Sequence, residues 1–309
     1  MNRRRSFLLV VLLALAAPPA ANAHLRSGVL AVDYRADVLE APRGVTARIY
    51  QSDLALRLSA GTTVRNVVVL GYRGEPFIRI GRAGAIVSKA SLTAAGSRVS
   101  VRGRSVVWHD ARMRGLAPGV ERRRWTIPLI VDGRRTRLAG ELSRVHAPTA
   151  WPWFALGVPF LLVVAFLLVV RPLRWVRVGA VAFGLAAAIG LVVTGAGFAL
   201  DSYASEGKWV EAANELVFAL VGVLVVARGK PDTRAIAGGA LGLLGLAVGL
   251  SKLPVFTHGL VLSVLPSNLA RTIVALTIAA GAAATCLGLV VFARTVDMPE
   301  EEPTLGNYQ

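Results

Sequence analysis

Cysteine is almost absent from the sequence. Cys286 is the single one in 309 residues, which excludes an internal disulfide framework and any zinc site built on cysteine. Histidine is scarce, with four. Acid is in short supply: 18 Asp and Glu stand against 35 Lys and Arg, a net charge of +17. Charged residues make up only 17% of the chain and apolar residues 54%. A soluble globular domain carries about 25% charged and about 45–50% apolar residues. These departures exclude a disordered chain and argue against a soluble enzyme; they fit a membrane protein with one water-exposed part. Catalytic signatures are missing as well. There is no Gly-x-Ser-x-Gly elbow, no His-Glu-x-x-His, no Walker loop and no Rossmann glycine fingerprint. No enzymatic activity is expected.

What is present begins with a secretion signal. Arg3, Arg4 and Arg5 precede the apolar run Phe7–Ala17. Pro18 and Pro19 break that run, and Ala21-Asn22-Ala23 places small residues at the −3 and −1 positions. This three-part pattern predicts cleavage of residues 1–23, with His24 as the first mature residue.

From Trp151 the composition shifts. Trp151–Val170, Val178–Leu200, Val210–Ala227, Ala235–Leu250 and Thr272–Phe292 are apolar, and most approach the ~20 residues that a spanning helix needs. Five transmembrane helices are therefore expected within 151–294. Arg171, Arg174, Arg177, Arg228, Lys230, Arg234 and Arg294 flank one side, against Lys208, Lys252 and Arg271 on the other. The positive-inside rule puts the first set in the cytoplasm, with the short acidic tail 295–309. This agrees with a signal that leaves residues 24–150 outside a bacterial plasma membrane. Gly238, Gly242, Gly245 and Gly249 share one helix face. Such a face permits close backbone approach, either inside the bundle or at a homodimer seam.

Residues 24–150 hold 22 basic and 9 acidic side chains, 22 − 9 = +13. They alternate with period 2, as in Val45-Thr-Ala-Arg-Ile49 and Leu54-Ala-Leu-Arg-Leu58. About nine short strands with regular turn signals predict an antiparallel β-sandwich. Val131-Asp132-Gly133-Arg134 reads as a hairpin, because Asp-Gly accepts the positive φ of a type I′ turn. The basic surface suits anionic lipid, an acidic cell-wall polymer or an acidic protein partner; secretion makes nucleic acid an unexpected partner. Arg122, Arg123 and Arg124 are the densest run.

Three blocks carry a resemblance. Val69-Leu-Gly-Tyr-Arg-Gly-Glu-Pro-Phe-Ile-Arg-Ile80, Trp108-His109-Asp110 and Trp151-Pro152-Trp153 resemble a family of actinobacterial membrane proteins with a secreted β domain and a helical C-terminal bundle. That family is similar in gene context to copper-handling systems of the CopC and CopD type, which implies copper as cofactor and copper-handling proteins as partners. Its Trp-His-Asp segment commonly continues His-Arg-x-His, where this chain has Ala111-Arg112-Met113-Arg114.

The residues themselves offer four candidate metal ligands. A mature His24 presents its α-amine and ring as a chelate, the histidine brace of CopC-type proteins. His109 adds an imidazole, Asp110 an oxygen and Met113 a soft thioether suited to Cu(I). On a strand, His109 and Asp110 would face opposite sides, so joint ligation requires a bulge or a strand end. Two acidic features are read as structural. Glu75, in the turn between Val67–Leu70 and Phe77–Ile80, is expected to neutralise Arg73 or Arg79. Glu211 and Glu215 share a face near the start of the third span, with Lys208 or Arg271 as expected partners.

Overall fold

The computed structural model describes residues 29–95, 97–170, 172–201 and 208–296. The expected signal segment, His24, Arg171 and the tail from Asp297 onward lie outside the described residues. Twelve strands are formed among them: β1 (Ala31–Val32), β2 (Tyr34–Glu40), β3 (Val45–Tyr50), β4 (Ala55–Ala60), β5 (Val67–Leu70), β6 (Pro76–Gly81), β7 (Gly84–Val87), β8 (Val99–Arg102), β9 (Ser105–His109), β10 (Arg122–Val131), β11 (Arg134–Arg144) and β12 (Leu260–Val261). One sheet has the order β2-β11-β10-β5-β6-β7 and another β3-β4-β9-β8. Every pairing is antiparallel.

The period-2 pattern does the sorting. Along β10 it sends Trp125, Ile127 and Leu129 inward and Arg122 and Arg124 outward. Leu56, Leu58, Val106 and Trp108 of the smaller sheet share one core with Val67, Val69, Ile80 and Leu138 of the larger. Phe77 stands edge-on to Trp108 with ring centroids 6.2 Å apart. Complete burial contributes about 1.5–3 kcal/mol for each large apolar side chain, so this shared core holds the two sheets together. Gly140 admits the Trp125 indole: a side chain there would strike that ring and the Asp37 carbonyl, and the β2–β11 register shifts at the same point. The Asp-Gly hairpin forms as expected, with φ of 48° at Asp132 and 82° at Gly133.

Because each strand from β2 to β11 runs back along its predecessor, the connections segregate. The β3–β4, β5–β6, β7–β8 and β9–β10 connections gather at one end of the sheets. The β2–β3, β4–β5, β6–β7, β8–β9 and β10–β11 turns gather at the other.

The helices are α1 (Leu92–Ala95), α2 (Trp151–Ala155), α3 (Val158–Val170), α4 (Leu173–Ala199), α5 (Trp209–Arg228), α6 (Pro231–Ser251), α7 (Pro254–Thr257) and α8 (Ser267–Val296). Five stretches are long and apolar enough to cross a bilayer: Trp151–Val169, Leu173–Ala199, Trp209–Arg228, Pro231–Thr257 and Ser267–Thr295. They match the five apolar segments of the sequence and suggest a multi-pass membrane protein. Helices α4, α6 and α8 pack backbone to backbone. Gly238 meets Ala180, Gly242 meets Ala284 and Gly281, Gly245 meets Ala187 and Gly249 meets Ile278. This glycine face is therefore filled from two sides inside the chain, as the internal-packing alternative expects.

The end of the sheets with the β3–β4 connection is mounted on the bundle. Strand β12, in the α7–α8 connection, pairs with β1. Asp33 accepts from the Gly259 amide at 3.0 Å, and its carbonyl accepts from Val145 at 2.9 Å. Leu30 packs with Phe198, Val255 and Phe256. Lys208 donates to the Val29 carbonyl at 3.0 Å.

Candidate functional site

Of the sequence-predicted ligands, His109, Asp110 and Met113 fall at the bundle end, and the structure separates them. His109 closes β9 and is exposed, its Nε2 3.2 Å from Asp53 Oδ2. Asp110 turns the other way, and its side chain is 0% exposed. Arg112 donates through Nε to Oδ1 at 2.8 Å and through Nη2 to Oδ2 at 2.7 Å. Trp108 Nε1 donates to Oδ2 at 3.1 Å, and the Arg112 amide to Oδ1 at 3.0 Å. The last bond caps the 3₁₀ turn Ala111–Met113. Burial would raise the Asp110 carboxyl, but the bonds and charge of Arg112, with the Trp108 indole, outweigh it and hold the group below its ordinary value. Met113 is 1% exposed and belongs to the apolar core. Asp110 and Met113 are thus committed to structural contacts, and His24 lies outside the described residues. Among the described residues no three His, Cys, Asp or Glu side chains gather as a metal centre.

The two β-domain blocks of the resemblance do meet. Tyr72 Oη accepts the Ala111 amide at 2.8 Å, and the Arg112 guanidinium lies over the Tyr72 ring at 5.1 Å. Glu75 anchors the turn from below. It accepts from Ser91 Oγ and Thr93 Oγ1, each at 2.8 Å, and from the Arg73 amide at 2.9 Å. Those hydroxyl bonds lower its carboxyl to about 2. Glu75 therefore serves hydroxyls and a backbone N–H, not the Arg73 or Arg79 guanidinium that the sequence suggested. Tyr72, Glu75 and Arg112 all bond across to neighbouring segments, so this corner is a brace between loops.

The far end has a different character. Its five turns and the strand ends beside them carry Arg43, Arg65, Arg82, Arg102, Arg134 and Arg135, all exposed. Two carboxylates stand nearby. Asp132 accepts from the Arg65 and Asn66 amides at 2.9 and 2.8 Å, and Glu40 pairs with Arg137 at 3.1 Å. Among the described residues, none of the six guanidiniums has a carboxylate within ion-pair distance.

The same turns are tied to one another. Arg104 donates to the carbonyls of Gly81 at 3.1 Å, Gly61 at 2.9 Å and Val64 at 2.5 Å. Gly61 donates to the Gly44 carbonyl at 2.8 Å, Ala85 to Gly103 at 2.9 Å and Asp132 to Asn66 at 2.9 Å. These bonds link all five turns into one plate. Sequence reading missed this site because its arginines are spread from 43 to 135, and only the up-and-down strand order collects them. The dense run Arg122–Arg124, which sequence reading favoured, lies at the other end. Arg122 and Arg124 flank Glu141 at 3.8 and 4.0 Å, and Arg123 donates to the Arg112 and Arg114 carbonyls. No family model, curated protein or solved structure matches the chain.

Proposed function

We propose that this chain is a multi-pass protein of a bacterial plasma membrane whose β domain is an extracytoplasmic sandwich that binds an anionic ligand of the cell envelope. The amino-terminal signal and the distribution of basic loop residues support placing the β domain outside and the C-terminus inside. The observation that carries the binding reading is a local excess of one charge: six exposed arginines, with only Asp132 and Glu40 as neighbouring acids, occupy the end of the sheets opposite the bundle. A cluster of one sign on a surface raises the local concentration of the opposite charge. Its position favours a ligand reached away from the bilayer over the headgroups beside the helices.

Copper handling has less support. Asp110 and Met113 are engaged elsewhere, so that reading would stand on His24 and His109 alone. The binding reading is tested with the purified full chain in detergent. It should bind polyanions at low salt and release them as salt rises. Replacing the six far-end arginines with Gln should remove the binding, and replacing Arg122 and Arg124 should not. Binding that is insensitive to salt, or lost equally in both variants, would refute it.

A further inference from the structure

Resting on that reading, we infer that the far-end plate takes a linear, acyclic phosphodiester polymer, held by several arginines at once. Three properties of the plate lead there. All six of its exposed cations are arginine. Guanidinium is a planar fork of donors that matches two oxygens of one phosphate, a fit that an ammonium lacks.

Second, the turns are 41–44, 61–66, 82–83, 103–104 and 132–133, and none holds Phe, Tyr or Trp. Single-stranded nucleic acids are ordinarily gripped by stacking their bases on aromatic faces. This end offers no such platform. Its turns are built on glycines instead: Gly44, Gly84, Gly103 and Gly133 have positive φ, and open space surrounds Gly103 and Gly133. A thin, flexible chain can lie against such turns with its charged groups in reach of the arginine forks.

Third, the arginines sit on, or directly beside, five separate turns that Arg104, Asp132 and Gly61 lock together. One phosphate can engage only one or two of them. A repeating chain can engage several, and each further contact forms at a high effective concentration. Because the plate is already fixed, little ordering of the protein opposes binding.

The experiment uses the full chain in detergent with four probes: poly(glycerol phosphate) in long and short forms, poly-γ-glutamate, and vesicles of phosphatidylglycerol. The long phosphate polymer should bind at least ~10-fold tighter than the short one at equal phosphate concentration. It should also bind more tightly than poly-γ-glutamate of matched charge. Single Arg→Gln changes at positions 43, 82 and 134 should each weaken it and lower its salt dependence; all three are surface positions, so circular dichroism should stay unchanged. Equal affinity for poly-γ-glutamate would overturn the phosphate assignment and leave the anionic-ligand reading standing. Binding to vesicles alone, or no advantage of length, would overturn the polymer. No binding to any probe would overturn both readings.

Discussion

Lys252 holds Glu215 through both carboxylate oxygens, each 3.0 Å from its ammonium. Thr194 Oγ1 takes the third donor at 3.1 Å. The side chains are 6% and 12% exposed, so the pair is buried inside the helical bundle. Sequence reading had looked to Lys208 or Arg271 for this acid. Lys208 instead reaches the Val29 carbonyl, and Arg271 reaches the carbonyls of Val255, His258 and Gly259.

The pair pins α5 to its neighbours, since that helix otherwise buries only Ala219 and Val226. Glu215→Gln should leave a buried ammonium uncompensated and lower stability by about 3–5 kcal/mol. Removing both charges together, with Glu215→Leu and Lys252→Met, should recover most of that loss. Glu211→Gln should cost no more than about 1 kcal/mol. Thermal unfolding in detergent measures all three. Equal losses at Glu211 and Glu215 would show that the pin is misassigned.

Asp110 is predicted to matter for folding and not for metal. Asp110→Ala strands the Arg112 guanidinium and the Trp108 indole N–H, and should cost about 3 kcal/mol. Met113→Leu conserves volume in the core and should cost less than about 1.5 kcal/mol. Titration with Cu(I) should give the same result for Met113→Leu as for the parent. A marked loss would return Met113 to the ligand set.

The fold was largely legible because its signals are local. Period-2 alternation marked the strands, Asp132-Gly133 marked a turn, and uninterrupted apolar runs marked the spans. The sites were not legible, because they depend on juxtaposition. Tyr72 and Ala111 are 39 residues apart, and nothing near either one announces the other. Asp110 looked like a free carboxylate next to a histidine, but strand alternation sends it into the core, where only an arginine makes its burial tolerable. The glycine face of α6 was visible as a pattern, yet the pattern is the same whether the covering helix belongs to this chain or to a second copy.

Acid should unfold the β domain through Glu75 and Asp110. Both carboxyls lie below their ordinary values when folded. Their stabilisation is complete above the unfolded value of about 4 and is lost as pH falls through the folded value, about 2 for Glu75. Melting temperature should therefore fall between pH about 4 and about 2, and the fall should be shallower in Glu75→Gln. Parallel profiles for parent and variant would show that the hydroxyl cradle of Ser91 and Thr93 does not act on the ionised carboxylate.

Gly242 decides between internal packing and a dimer seam. A side chain built there would lie 2.5 Å from the Ala284 methyl and 2.8 Å from the Gly281 carbonyl. A carbonyl on a neighbouring helix cannot step aside as a flexible side chain can. Gly242→Leu must therefore force α6 and α8 apart, at a cost of about 1–3 kcal/mol or more. The lost interhelical contacts are the main drive for association in an apolar solvent, where burial of apolar surface gives no help. The expected result is a lower melting temperature with the light-scattering mass in detergent unchanged. A dimer seam predicts the reverse: the mass would halve while each chain kept its melting temperature, because the leucine would then meet only a second copy.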